Sequence, residues 1–130
     1  MKTSIVFWSG TGNTEDFANQ IMDLAAGKDV SLFNLNEADA DVADAELLLL
    51  GCPSMGNEEL EEDIFLPWFE ATDIKGKSVA LFGSYGWGDG EWMRNWEASC
   101  IAKGAKVLKT ITFNGPDFST EDVEAFAALI

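Results

Sequence analysis

The sequence predicts an α/β domain in which helices cover both faces of a parallel sheet. Segments with the apolar density of strands alternate with segments of helical periodicity along the whole chain. Two strand segments, Leu47-Leu48-Leu49-Leu50 and Val79-Ala80-Leu81-Phe82, are apolar throughout, the pattern of strands covered on both sides. The first strand also runs through a loop of hydroxyls and glycines directly into a helix, as at the ligand-binding edge of such sheets.

Each element has its own justification. Ile5-Val6-Phe7-Trp8 reads as a buried first strand. Ser9-Gly10-Thr11-Gly12-Asn13-Thr14 then leads into a helix with Phe17, Ile21, Leu24 and Ala25 on one face, closed by Gly27. Strands are predicted over 29–35 and 46–51, and residues 36–45 between them fit only a poor short helix. A short helix over 66–71 starts at Pro67, whose missing N–H is harmless in a first turn. A strand over 78–83 precedes a helix over 91–103, with Met93, Trp96 and Cys100 on one side and Gly104 after it. Trp92 and Trp96, four apart on that helix, read as core. The fifth strand covers 106–113. The last helix, 119–130, is capped by Ser119 or Thr120 and turns Val123, Phe126 and Ile130 inward. With no cap and no cation after it, its last turn is expected to fray.

Three loops should meet where parallel strands end. The first, Ser9 to Thr14, suits one small terminal phosphate: glycines admit the ligand, and helical N–H groups and the dipole favour negative charge. It carries no Lys or Arg, so it is not a nucleoside-triphosphate loop. Glu15 stands at the third glycine position, so it is not a dinucleotide loop either. The second is Gly51-Cys52-Pro53-Ser54-Met55-Gly56-Asn57-Glu58, the third Gly83-Ser84-Tyr85-Gly86-Trp87-Gly88-Asp89-Gly90. Trp87, held between glycines, presents a flat apolar face more suited to a ligand than to a core. Met55, soft and polarizable, sits before the Gly56 turn and suits an opposing wall. One phosphate anchor, two apolar walls and nearby amides suit a flat aromatic ring system with a phosphate tail.

Bulk properties bound the remaining classes. A chain of 130 residues is one domain by length, here 1–130. With 23 acidic against 8 basic residues and a net charge of -15, it repels nucleic acid and anionic membranes and should attract a basic protein partner. The acidic run Glu58, Glu59, Glu61, Glu62, Asp63 beside the second loop reads as a docking surface for it. Cys52 and Cys100 are far apart and form no CxxC, His is absent, and nothing marks a metal site or a disulfide framework. No signal peptide or membrane-spanning run is evident, so a cytoplasmic monomer is expected.

The stretches Trp8 to Glu15 and Gly83 to Gly90 resemble those of the flavodoxin family, short-chain type, found chiefly in anaerobic bacteria. The resemblance spans essentially the whole chain and implies a flavodoxin-like doubly wound five-stranded parallel sheet. It implies a non-enzymatic electron carrier of low potential that uses non-covalent FMN through a neutral semiquinone and a hydroquinone. Ser9, Thr11, Asn13 and Thr14 would hold the phosphate with the amides of Gly10 and Gly12. Met55 and Trp87 would cover the inner and outer ring faces, and Gly56, Asn57 and Glu58 would meet the ring edge. Gly56 would let its peptide rotate on reduction so that its carbonyl accepts a flavin N–H. Ser84, Tyr85, Gly86, Gly88 and Asp89 belong to the third loop without individual roles. Pro53 stands where a small polar residue is expected, leaving Ser54 to help the phosphate. Asn57 is uncharged where acidic residues are common.

Other classes fit less well. An FMN-dependent reductase needs a substrate pocket over the ring, which no spare segment supplies. A phospho-accepting signalling domain needs clustered Asp at the first strand ends and a Lys after the last, and neither is present. A redox partner dedicated to one enzyme, as in ribonucleotide-reductase maturation, shares fold and cofactor and is not separated by sequence.

Overall fold

The structure, a computed structural model, describes residues 2–56 and 58–130. Five strands, β1 (Thr3–Phe7), β2 (Val30–Asn34), β3 (Leu47–Gly51), β4 (Ser78–Tyr85) and β5 (Lys106–Asn114), form one sheet. All neighbours are parallel and the order is β2-β1-β3-β4-β5. The helices are α1 (Asn13–Leu24), α2 (Phe65–Ala71), α3 (Glu91–Ala102) and α4 (Thr120–Ala127). This is the doubly wound architecture the sequence predicts. The chain steps from β1 outward to β2, then returns to β3 and continues the other way. The carboxyl ends of β1 and β3 therefore flank the switch point where such sheets bind ligands.

Strand alternation builds two cores. Val6, Leu48, Leu50, Val79 and Leu81 face α2 and α3, where they meet Phe65, Trp68, Phe69, Trp92 and Trp96. Ile5, Phe7, Leu47, Leu49, Ala80 and Phe82 face α1 and α4, around Phe17 and Phe126. Phe17 stacks on Phe82 at 4.9 Å between centroids and on Phe113 at 5.2 Å, which locks α1 to the sheet directly behind the first loop.

The differences from expectation have physical reasons. Leu24 is 55% exposed, because the inner face of α1 is centred on Thr14, Phe17, Ala18, Ile21 and Ala25 and Leu24 lies beyond its rim. No helix forms over 36–45. Those residues make turns, and Lys77 Nζ holds them by donating to the carbonyls of Val42, Ala43 and Ala45. Helix α2 begins at Phe65, so Pro67 lies inside its first turn rather than opening it. Helix α4 stops at Ala127, short of 130, but the last turn is not frayed: the amides of Leu129 and Ile130 donate to the carbonyls of Phe126 and Ala127, and both side chains pack on the core. Strand β4 runs to Tyr85, so Ser84 and Tyr85 belong to the sheet rather than to a loop.

Candidate functional site

The first loop is a short path from β1 to α1 with its own internal support. Gly12 caps α1 in the left-handed region, at φ 94°, where a side chain would be strained. Ser9 Oγ accepts from the amides of Gly12 at 3.0 Å and Glu15 at 3.3 Å. Of the first amides of α1, those of Asn13 and Thr14 have no hydrogen-bond partner among the described residues. The Thr14 hydroxyl is buried without a hydrogen-bond partner among the described residues. A buried donor in that condition is costly unless a ligand meets it. Beneath the loop, the absent side chain of Gly10 leaves room for the Trp8 ring, 3.1 Å from where a Cβ would stand.

The second and third loops rise from adjacent strands and are tied together. Met55 and Glu59 exchange backbone hydrogen bonds of 2.8 and 3.0 Å, closing a tight turn that starts at Gly56 with φ 51°. The Ser54 amide donates to the Ser84 carbonyl at 2.9 Å, extending the β3–β4 pairing up to the site. Glu58 Oε1 accepts from the amides of Gly90 and Glu91 at 3.1 and 3.2 Å, at the N-terminus of α3. Trp87 is 62% exposed and Met55 38%, although most other large apolar side chains are buried. Asp89 turns to Arg94, which donates to its carboxylate at 3.1 Å and to its carbonyl at 3.0 Å.

Of the predicted site residues, Ser9, Gly10, Thr11, Gly12, Asn13 and Thr14 share one loop and helix start at the end of β1. Met55, Gly56, Glu58, Gly86, Trp87, Gly88 and Asp89 stand at the ends of β3 and β4, and Ser54 leads into the first of these groups. Asn57 lies outside the described residues. Ser84 is placed differently from expectation: it is buried, and its hydroxyl donates to the Gly115 carbonyl at 2.8 Å, holding the β5–α4 connection. Tyr85 packs on Trp92, with 5.9 Å between ring centroids.

Three residues take supporting roles that the sequence reading did not assign them, and one of these, Glu61, is buried rather than part of the acidic docking surface it was read into. Asn36 grips the backbone of Ser9 from both sides, accepting from its amide and donating to its carbonyl, each at 2.9 Å. The Asn34-Leu35-Asn36 stretch, rich in turn-forming side chains, was the signal. Glu61 is 6% exposed, and its carboxylate accepts from the amides of Asp63, Ile64 and Phe65, capping α2. The Trp8 indole N–H, buried and unpartnered, stands one residue before the phosphate loop. Beside Glu61, burial pushes the Cys52 thiol far above its ordinary pKa. The Glu61 amide, donating to Sγ, opposes this shift, and the Glu61 carboxylate adds to it.

The residues fit a phosphomonoester joined to a flat ring: unsatisfied donors at the α1 N-terminus, and exposed apolar side chains on the two neighbouring loops. The sequence matches the flavodoxin family over residues 5–128. The chain belongs to the flavodoxin family. Flavodoxins bind FMN and carry electrons rather than catalyse a reaction of their own. The flavodoxin of Clostridium beijerinckii is 46% identical, over 97% of this chain and 96% of its own. That of Megasphaera elsdenii is 49% identical over 90% of each chain. A solution structure of two-electron reduced Megasphaera elsdenii flavodoxin superposes with a TM-score of 0.86 at 44% identity, covering 98% of this chain and 99% of that one. The short-chain type fits this length. Among the described residues, no helix is long and apolar enough to cross a membrane, and no cluster of His, Cys, Asp and Glu could hold a metal ion.

Proposed function

We propose that the Ser9–Thr14 loop holds the FMN phosphate in this electron carrier, and that Met55 and Trp87 stand against the two faces of the ring. The observation that carries this assignment is the buried, unpartnered Thr14 hydroxyl beside the unpartnered amides of Asn13 and Thr14. FMN, when bound, supplies a ring that takes up and gives back electrons singly. The chain's own part is placement and field. The α1 dipole meets the phosphate charge without a basic side chain, which keeps the loop neutral. The exposed apolar groups of Met55 and Trp87 exclude water from the ring faces. Apolar walls and a net charge of -15 oppose a further negative charge, which biases the site toward releasing electrons.

The partner surface we assign to the same edge. It gathers Glu58, Glu59, Glu62, Asp63, Asp89 and Glu91 around the exposed side chains of Met55, Ile64 and Trp87. A partner with a cationic rim around an apolar centre is complementary to it.

The test is a visible spectrum of the purified protein through stepwise anaerobic reduction. Bound FMN reduced in two resolved one-electron steps is expected. A single two-electron step would favour a reductase, and failure to take up added FMN would overturn the assignment of the loops.

A further inference from the structure

We propose that Asn36 is a positioning residue for phosphate recognition, holding the first loop in the shape that leaves the Asn13 and Thr14 amides free for a phosphomonoester. The inference rests on the reading that this loop holds the FMN phosphate. It starts from the way β1 and β2 part. The last backbone bond between them runs from the Leu35 amide to the Phe7 carbonyl, at 2.9 Å. Trp8 turns its amide the other way, to the carbonyl of Gly51 at the end of β3, at 3.0 Å. By alternation Ser9 faces the β2 side again. No strand remains there to meet it. The amides of Glu37 and Ala38 both donate back to the Asn34 carbonyl, which curls the chain away.

The Asn36 side chain supplies what the strand no longer does. Its Oδ1 accepts from the Ser9 amide and its Nδ2 donates to the Ser9 carbonyl, each at 2.9 Å. One carboxamide thus replaces an acceptor and a donor of a neighbouring strand. Its own backbone is fixed in turn, the Asn36 amide donating to Asn34 Oδ1 at 2.9 Å. Pinned through both backbone groups, Ser9 sets the place of its hydroxyl, and Oγ accepts from the amides of Gly12 and Glu15. Those two bonds span the loop and engage the amides on either side of Asn13 and Thr14, whose own amides stay without a partner among the described residues. Asn36 therefore acts on the phosphate through Ser9. The position calls for an amide. A carboxylate would accept from the Ser9 amide but set a second acceptor against its carbonyl. It would also place a negative charge beside an anion site whose loop has no basic side chain.

The test compares Asn36→Ala and Asn36→Asp with the parent. Amide hydrogen exchange of the flavin-free full chain reads the hold on the loop. Affinities for FMN and for riboflavin, which has the same ring without the phosphate, read its consequence. In Asn36→Ala, exchange at Gly12 and Glu15 should rise about tenfold while that of α4 stays unchanged. FMN affinity should fall about tenfold, with riboflavin affinity held within about twofold. Asn36→Asp keeps one of the two bonds to Ser9, so its exchange should fall between. Unchanged exchange at Gly12 and Glu15 in both variants would overturn the proposal. A loss of FMN affinity alone would then mark a direct contact of Asn36 with the phosphate. Equal losses for FMN and riboflavin would overturn the role in phosphate recognition. A parent protein that takes up neither flavin would instead overturn the function reading, while the exchange result would still decide whether Asn36 shapes the loop.

Discussion

At the scale of single residues, the site is marked by groups that the fold alone leaves unserved. Thr14 is buried in the first turn of α1 with its hydroxyl unpartnered, in a structure where most buried polar atoms are satisfied. A residue kept only for folding would do better as Val, which has the same shape without the hydroxyl. Thr14→Val should therefore stabilise the flavin-free chain by about 1 kcal/mol and weaken FMN binding by roughly tenfold. Urea denaturation and a flavin-fluorescence titration check the two halves. A loss of stability together with unchanged affinity would show that the hydroxyl serves the fold. Thr14 can be proposed from the sequence because hydroxyls and glycines between a strand and a helix have few other uses. Asn36 was not, because its role is a grip on the backbone of Ser9 from 27 positions away. Local pattern carries no record of which distant backbone an amide will reach.

At the scale of elements, the decisive feature is how closely β3 and β4 approach where they leave the sheet. Gly83 has no room for a side chain: a Cβ there would run into the carbonyl of Cys52, with Trp92 just behind. That carbonyl also accepts from the Trp92 indole at 3.3 Å. Gly83→Ala should cost about 3 kcal/mol, because backbone must move to relieve it, and the midpoint of urea unfolding measures this. The loops beyond Ser54 and Tyr85 should lose their alignment at the same time. The acidic turn after Met55 adds a pH-dependent element. Glu62 is raised above its ordinary pKa, first by sharing a hydrogen bond with Glu59 and then by that neighbour's charge. A carboxyl raised by folding adds stability that is fully present below its unfolded value of 4.5 and is lost as pH rises through its folded value. Glu62→Gln should remove that step, so that melting temperature varies less than in the parent as pH rises above 4.5. An unchanged profile would place the proton elsewhere. The strands themselves were readable from apolar runs, and so was each helix that covers the sheet. The end of β4 was misjudged because Ser84 and Tyr85 do not look like buried strand. Pairing with β5, which resumes after a bulge at Val79/Ala80 and runs on to Tyr85, carries the strand through them, with the Ser54 amide on the Ser84 carbonyl at the other side.

At the scale of the whole molecule, parallel strands give the chain two unlike edges, and most of its cations gather at one of them. Lys2, Lys28, Lys75, Lys77, Lys103 and Lys106 all lie just before a strand or at its first residue, away from the site. Of the remaining cations, Lys109 lies within β5, and Arg94 near the site is paired with Asp89. The loops at the carboxyl edge hold the long acidic run and the first-turn acids of α1, α3 and α4. The sequence revealed the excess of negative charge, but its polarity required the strand order, since only a fully parallel sheet puts every strand start on one side. Under the proposed docking mode, such a field would turn an approaching cationic partner toward the exposed Trp87 and Met55 before contact. Reversing Glu59 and Glu62 to Lys should slow electron transfer to a basic one-electron haem protein by at least tenfold at low ionic strength. Reversing Lys28 and Lys106 to Glu, which also changes net charge but at the far edge, should change it little or speed it. At about 0.1 M salt the screening length is roughly 10 Å, so the difference between the two double variants should shrink steeply as salt is added. Stopped-flow rates over a salt series decide the matter. If both pairs shifted the rate only in proportion to net charge, steering would come from total charge, and the sorting of charge between the edges would play no part in partner approach.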